Sequence, residues 1–370
     1  MTLASPRQRR RARGGSFVLD REETYDRDES GMFEHIRAVG WEFSRAWAAS
    51  DIPDLNRVPR DAKALVVAGI GGSATAGDYL TAVCRETSRI PVEVVQGFRL
   101  PRWAREGSLV VACSYSGKTD ETLEACEEAR RMGASLVAIT SGGKLATEAK
   151  KNRWPLWKIS YAAAPRATTV HTLAPLLRIA ERLDLVPHAG ELVSQAAGAH
   201  SRIVESSLNP GVPMAANEAK QLAVALAGRR PIIIGGEHLS AAAVRFKNQL
   251  AENGKSLSSA EALPEAGHNL VVGLSTAAAH ARTTALVTLE SPRVHPTVTA
   301  RFAAVAEQFE AADVPVHRIQ IDGGSTLGDL LVATAWGDYV SCYLAMVTGF
   351  DPTPIPQIET IRSARAAETD

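Results

Sequence analysis

Residues 108–132 read SLVVACSYSGKTDETLEACEEARRM. Ser108–Cys113 is a short apolar run, the pattern of a parallel strand buried on both faces. Thr119–Met132 has helical spacing, with acids in its first turns and Arg130 and Arg131 at its end, which suits the helix macrodipole. Between them stand Ser114-Tyr115-Ser116-Gly117-Lys118-Thr119. Strand, tight loop and helix in one stretch form the unit of a doubly wound parallel sheet.

The unit recurs on both sides. Upstream, Ala64–Ala68 is apolar and ends in glycines, Ala74–Cys84 reads as a helix and Val92–Val95 as a second strand. Downstream, Ser135–Ile139 is a fourth strand. Met32–Ala49 places Phe33, Ile36, Val39, Trp41, Phe43 and Trp47 at helical spacing and predicts a leading helix. From Pro231 the scheme repeats. Pro231–Ile234 is followed by Gly235-Gly236 and a helix through Leu250, Ala285–Leu289 by Glu290-Ser291-Pro292, and Val316–Ile321 by Gly323-Gly324. A period of about 165–180 residues is a whole domain rather than a solenoid repeat. The expected fold is α/β, with two similar αβα domains (doubly wound parallel sheets) related by internal duplication. Residues 1–28 are expected as a disordered basic tail, 29–200 as the first domain, 201–350 as the second, and 351–370 as a C-terminal helix near the site.

The chain has 370 residues, with 41 basic and 41 acidic side chains. A neutral chain has no global field to attract nucleic acid, so an anionic ligand must be held locally. That favours a small phosphorylated or carboxylated molecule. The run Arg7–Arg13 has no apolar core behind it and reads as a solvated tail, not a signal peptide. No apolar stretch reads as long enough to span a bilayer. Cys84, Cys113, Cys126 and Cys342 lack metal-type spacing and suit a reducing cytoplasm. No metal, no membrane and no nucleic-acid partner are expected.

The loop Ser114–Thr119 gathers three hydroxyls and several backbone N–H groups at the positive end of a helix, a ready anion cradle. Gly117 lets the backbone approach a ligand. Gly69-Ile70-Gly71-Gly72-Ser73 is a second glycine turn, placed beside the first at the carboxyl edge of the sheet. The bland reading is that Ser116 or Thr119 caps a helix and the glycines turn the chain. Two such loops at equivalent strand ends favour the anion site. Neither the spacing of a nucleotide P-loop nor a dinucleotide fingerprint is present. The second copy carries Glu290-Ser291-Pro292-Arg293-Val294-His295 in place of the hydroxyls, so one phosphate site per chain is expected.

With these residues in place, the chain resembles sugar isomerase (SIS) domain proteins over residues 30–365. It is most similar to the bifunctional phosphoglucose/phosphomannose isomerases of archaea and bacteria. The landmarks are the two loops above, Thr140-Ser141-Gly142-Gly143-Lys144-Leu145, Ala164-Pro165-Arg166, Glu252-Asn253 and Pro264-Glu265-Ala266-Gly267-His268-Asn269. The resemblance implies aldose–ketose isomerisation of a hexose 6-phosphate without a cofactor. Glucose 6-phosphate and fructose 6-phosphate are the first candidates, mannose 6-phosphate a second. In that family a glutamate moves a proton between C1 and C2 through a cis-enediolate, a histidine helps open the ring and an arginine supports the developing charge. By motif these fall on Glu252, His268 and Arg166. Phosphate contacts fall on Gly72, Ser73, Ser114, Ser116 and Thr119, with Gly71 beside them. The resemblance also implies a homodimer in which His268 reaches the partner's site.

Such a reaction needs one base held over two carbons, and a carboxylate in a partly dry pocket suits it. Glu252 stands near a helix end, just before Gly254. Imidazole titrates in the range needed to take and return a hydroxyl proton. Arg166 follows Pro165 in a segment expected to be extended. Taken alone, each residue is as readily a surface or structural side chain; the motifs decide. Three places depart from the family: Lys118 stands for an asparagine, Arg362 for a lysine presented by the C-terminal helix, and Asp351–Pro356, at the entry to that helix, has residues that differ among members. They leave the class of chemistry intact and the identity of the sugar open. An isomerase of another sugar phosphate, or a non-catalytic sugar-phosphate-binding SIS protein, are the alternatives.

Overall fold

The computed structural model describes residues 18–276 and 281–363. The basic run Arg7–Arg13 lies outside the described residues. Residues 18–28, expected to belong to the tail, are folded against the domain, because they have apolar surface to bury. Leu19 is fully buried, a 3₁₀ turn spans Glu22–Arg27, and the Tyr25 ring meets Phe33 edge-on at 5.1 Å. The Asp28 carboxylate then accepts from the N–H groups of Met32 and Phe33, both at 2.8 Å, and so starts helix α1 (Met32–Ala49).

The first sheet is built from β1 (Ala64–Gly69), α2 (Gly72–Cys84), β2 (Val92–Val95), β3 (Ser108–Cys113), α3 (Asp120–Arg131), β4 (Ser135–Thr140), α4 (Gly143–Lys151) and β5 (Leu156–Lys158). A 3₁₀ turn over Pro165–Ala167, α5 (Thr169–Arg182), α6 (Ala189–Ile203) and α7 (Glu218–Leu226) lead into the second. That sheet is built from β6 (Arg230–Gly236), α8 (Leu239–Glu252), β7 (Ser259–Leu263), β8 (Thr284–Glu290), α9 (Pro296–Ala311) and β9 (Val316–Gln320). α10 (Thr326–Thr348) and α11 (Pro356–Ser363) close the chain. The boundary expected at residue 200 falls inside α6, whose backbone continues as a π turn to Leu208.

All strands are parallel, ordered β2-β1-β3-β4-β5 and β7-β6-β8-β9. Apart from β5 the two orders are the same, as duplication requires. The registers agree too: Gly69 pairs with Cys113 as Gly235 pairs with Leu289, and Cys113 with Ile139 as Leu289 with Ile319. Ser114 and Glu290 therefore hold the same place in their sheets.

One apolar cluster runs through both halves. It joins Leu65 and Val67 of β1 to Ile233 of β6 and Val287 of β8 through α1, α2, α5, α6, α8 and α10. α10 overturns one expectation. It is long and apolar enough to cross a membrane, with a mean hydropathy of 1.4, but 94% of that window is buried inside the fold. It is the shared core helix, apolar all round because protein surrounds it.

Candidate functional site

The Ser114–Thr119 loop sits where β3 gives way to α3. The Ser114 and Thr119 hydroxyls lie 2.7 Å apart, the Gly117 N–H donates to Ser114 Oγ at 3.1 Å, and that of Lys118 to Ser116 Oγ at 3.2 Å. Gly117 has φ +62°, and a Cβ there would collide with the Gly142 carbonyl. The third landmark loop thus buttresses the second. Gly71, with φ +60°, opens α2. No side chain caps the start of α2 or of α3, so their first N–H groups stay available to an anion. Ser73 is buried in the first turn of α2, and Ser116 and Lys118 are exposed at the rim.

The glycine turn touches the arginine segment: a Cβ on Gly72 would stand 3.0 Å from the Pro165 carbonyl. Arg166 itself corrects the expectation of an extended segment. Only Ala164 before the proline is extended (φ −57°, ψ 140°), and Pro165–Ala167 turns into a 3₁₀ helix. Its guanidinium is 3% exposed and heavily committed. Nε donates to Asn253 Oδ1 at 2.6 Å, and Nη2 to the carbonyls of Pro352 and Thr353 at 2.8 and 2.9 Å. Nη1 has no hydrogen-bond partner and lies 3.6 Å from Glu252 Oε2. Burial pulls the Arg166 pKa below its ordinary value while the Glu252 carboxylate opposes the shift; the group remains a cation.

Sequence reading gave no role to the residues that hold this pair. Arg245 and Gln249 on α8 and Asn253 at its C-cap recur every fourth residue, a polar stripe facing α10. Arg245 Nη2 and Gln249 Nε2 donate to the buried Asp338 carboxylate at 2.9 and 2.6 Å. Asn253 Nδ2 donates to Ser341 Oγ at 3.0 Å. Arg245 Nη1 also donates to the Arg166 carbonyl (3.3 Å) and to Thr169 Oγ1 (3.1 Å), tying the arginine turn to the stripe. Lys255 ties the C-terminal segment to the same place by donating to the carbonyls of Glu252, Pro352 and Pro354. The i, i+4, i+8 spacing was the available signal.

His268 is not brought to this cluster by its own chain. α8 runs back along its sheet, so Glu252 ends at the amino edge, where Ser256 Oγ contacts the carbonyl of Arg229 just before β6. Leu263, ending β7, pairs with Gly236 at the carboxyl edge, and the turn Glu265–His268 follows there. The fourteen residues of α8 separate the two by about 20 Å at 1.5 Å per residue. His268 is exposed and, among the described residues, makes no side-chain hydrogen bond or ion pair. The backbone of Arg362 lies in α11; its side chain is outside the described residues.

Comparison with known proteins agrees with this division into two copies. Residues 60–153 match the SIS domain family, and residues 215–364 match the bacterial phospho-glucose isomerase C-terminal SIS domain. The chain is 31% identical to a bifunctional phosphoglucose/phosphomannose isomerase of Caldicellulosiruptor bescii, over 92% of this chain and all of that protein. It is 28% identical to the protein of that description from Aquifex aeolicus, over 81% of this chain and 89% of that one. A solved structure of a hypothetical protein from Thermus thermophilus shares the fold, with a TM-score of 0.71 at 17% identity over 96% of this chain and 95% of that one.

Proposed function

We propose that this chain, which belongs to the family of bifunctional phosphoglucose/phosphomannose isomerases, interconverts the aldose and ketose forms of a hexose 6-phosphate. Glucose 6-phosphate and fructose 6-phosphate are the leading pair, with mannose 6-phosphate the further aldose. The observation that carries the residue roles is the meeting of Arg166 Nη1 and Glu252 Oε2 at 3.6 Å beside the glycine turn.

The phosphate binds at Gly72, Ser73, Ser114, Ser116 and Thr119, at the unsatisfied N–H groups of two helix starts. The sugar then extends toward Glu252. Its carboxylate takes the C2 proton of the open aldose, the C–H electrons form the C1=C2 bond, and negative charge moves onto O1. The free Nη1 of Arg166 faces that oxygen; one such preorganised donor is worth about 3–4 kcal/mol of barrier. The proton returns to C1 while the C2 hydroxyl passes its own proton to O1, leaving the neutral ketose. His268 opens the ring from the partner of a homodimer, because its own chain holds it at the far edge of the second sheet. The neutral charge and four buried thiols fit a cytoplasmic setting.

The test is a coupled assay of the purified protein against a panel of aldose and ketose phosphates, with Glu252→Gln alongside. Conversion of glucose 6-phosphate that disappears in the variant supports the proposal. Turnover of a different sugar alone would move the substrate, as Lys118 and Arg362 leave open. Binding without turnover of any panel member sinks the catalytic reading.

A further inference from the structure

The duplicated sheets place two switch-point crevices in one chain, between β1 and β3 and between β6 and β8, the position where open α/β sheets take ligands. The first carries the phosphate loop. The second holds a side chain of the protein itself. Asp329, in the first turns of α10, is fully buried, and its carboxylate is met from the loops that follow β6, β8 and β9. His238, after β6, brings Nε2 to 3.0 Å of Oδ2. Ser291 and Arg293, after β8, bring Oγ to 2.5 Å and Nε to 3.2 Å of the same oxygen. The Gly323 N–H, after β9, donates to Oδ1 at 2.7 Å.

We propose that the second sheet retains an oxyanion site at its switch point and that the Asp329 carboxylate fills it from within, so that each chain takes one sugar phosphate rather than two. A carboxylate with no solvent contact persists only where donors replace its water, and here four groups from three loops do so. Burial raises the Asp329 pKa, but the bonds from His238, Ser291 and Gly323 and the charge of Arg293 outweigh it and hold it below the ordinary value. The occupant is therefore an anion, as phosphate is. The surroundings offer no second phosphate loop. Glu290 takes the register place of Ser114 with its carboxylate held by Arg318, and the cavity of about 410 Å³ beside the cluster is lined by Glu290, Ser291 and Asp322 together with the apolar Val294, Phe302 and Ile321. Duplication thus left a second cradle that its own chain keeps closed.

The test removes the internal anion and offers another. Asp329→Ala leaves a carboxylate-sized space with four donors, whereas Asp329→Asn keeps it filled. Thermal midpoints of both variants and of the unaltered protein are read against rising formate and inorganic phosphate, in a Ser114→Ala background that weakens the first site. The expected result is a low midpoint for Asp329→Ala that either anion raises by several degrees more than in Asp329→Asn or the unaltered protein. Equilibrium dialysis with labelled phosphate should then find about one more bound per chain in the alanine variant. Equal responses of all three proteins overturn the proposal. So does an alanine variant that stays insoluble when refolded in either anion.

Discussion

Arg166 meets Glu252 through the one guanidinium nitrogen that nothing else holds, with Nη1 3.6 Å from Oε2. The spacing is too long for a hydrogen bond and short enough for strong electrostatic contact. Three donors to Asn253, Pro352 and Thr353 fix the arginine, so the fourth direction is set by the protein rather than by the carboxylate. Preorganisation of that kind is what a developing enediolate requires.

Asn253 is the side chain that sets this orientation. Asn253→Ala leaves Arg166 Nε buried without a partner, at a cost of roughly 1–3 kcal/mol of stability. Reorientation of Nη1 should lower kcat by about 10–100-fold with a smaller change in KM. Asn253→Asp keeps the acceptor oxygen and should recover most of kcat. Steady-state kinetics on the three proteins decide it, and a loss of stability with unchanged kcat would show a structural role alone.

Gly117→Ala tests the phosphate loop. The position has φ +62° and no room on the side of Gly142, so the loop must move. The expected effect is a rise in KM of about tenfold or more, with the melting temperature shifted by a few degrees. An unchanged KM would remove this loop from phosphate binding.

Mixing experiments address His268. Glu252→Gln and His268→Ala chains should each be inactive alone. If each site combines both residues from different chains, random reassociation places one intact site in half of the dimers, restoring about a quarter of full activity. No recovery after verified chain exchange would place both residues in one chain's site.

Acid sensitivity follows from two buried imidazoles. Burial, aided by the Arg45 charge, lowers the His171 pKa to about 4; burial and Arg245 lower that of His200 to about 3. The unfolded chain takes these protons near pH 6.5 and the folded chain only later. Their contribution is therefore complete above that pH and is lost as pH falls toward 4 and 3. Both ring nitrogens of His200 lack partners. His200→Leu should flatten the fall in urea midpoint between about pH 7 and about pH 4. An unchanged slope would assign acid unfolding to other groups.

Ser108–Cys113, buried on both faces, stands where its composition placed it, and so do the valine-rich edge strand Val92–Val95 and the amphipathic α1. β7, an edge strand too, escaped because Ser259–Leu263 has no β-branched residue, only small side chains around Glu261. Residues 18–28 escaped because their charges mask Leu19 and Tyr25. Within the site, the motifs pointed to Glu252 and Arg166, whose side chains lie 3.6 Å apart. The support of that pair was hidden, because Arg245 and Asp338 lie 93 residues apart and each reads locally as a solvated charge. Only the fold makes them one buried pair.

The apolar cluster that passes from β1 through α10 to β8 has a thermodynamic consequence. Two domains related by duplication ordinarily melt as two units, each with its own interior. Here each sheet completes the interior of the other, and Phe33 packs against Tyr339 and Tyr343 across the halves. Calorimetry should record a single cooperative transition, and a chain severed in the crossing between α6 and α7 should yield neither half as a folded protein. The duplicated architecture should then behave as one indivisible folding unit.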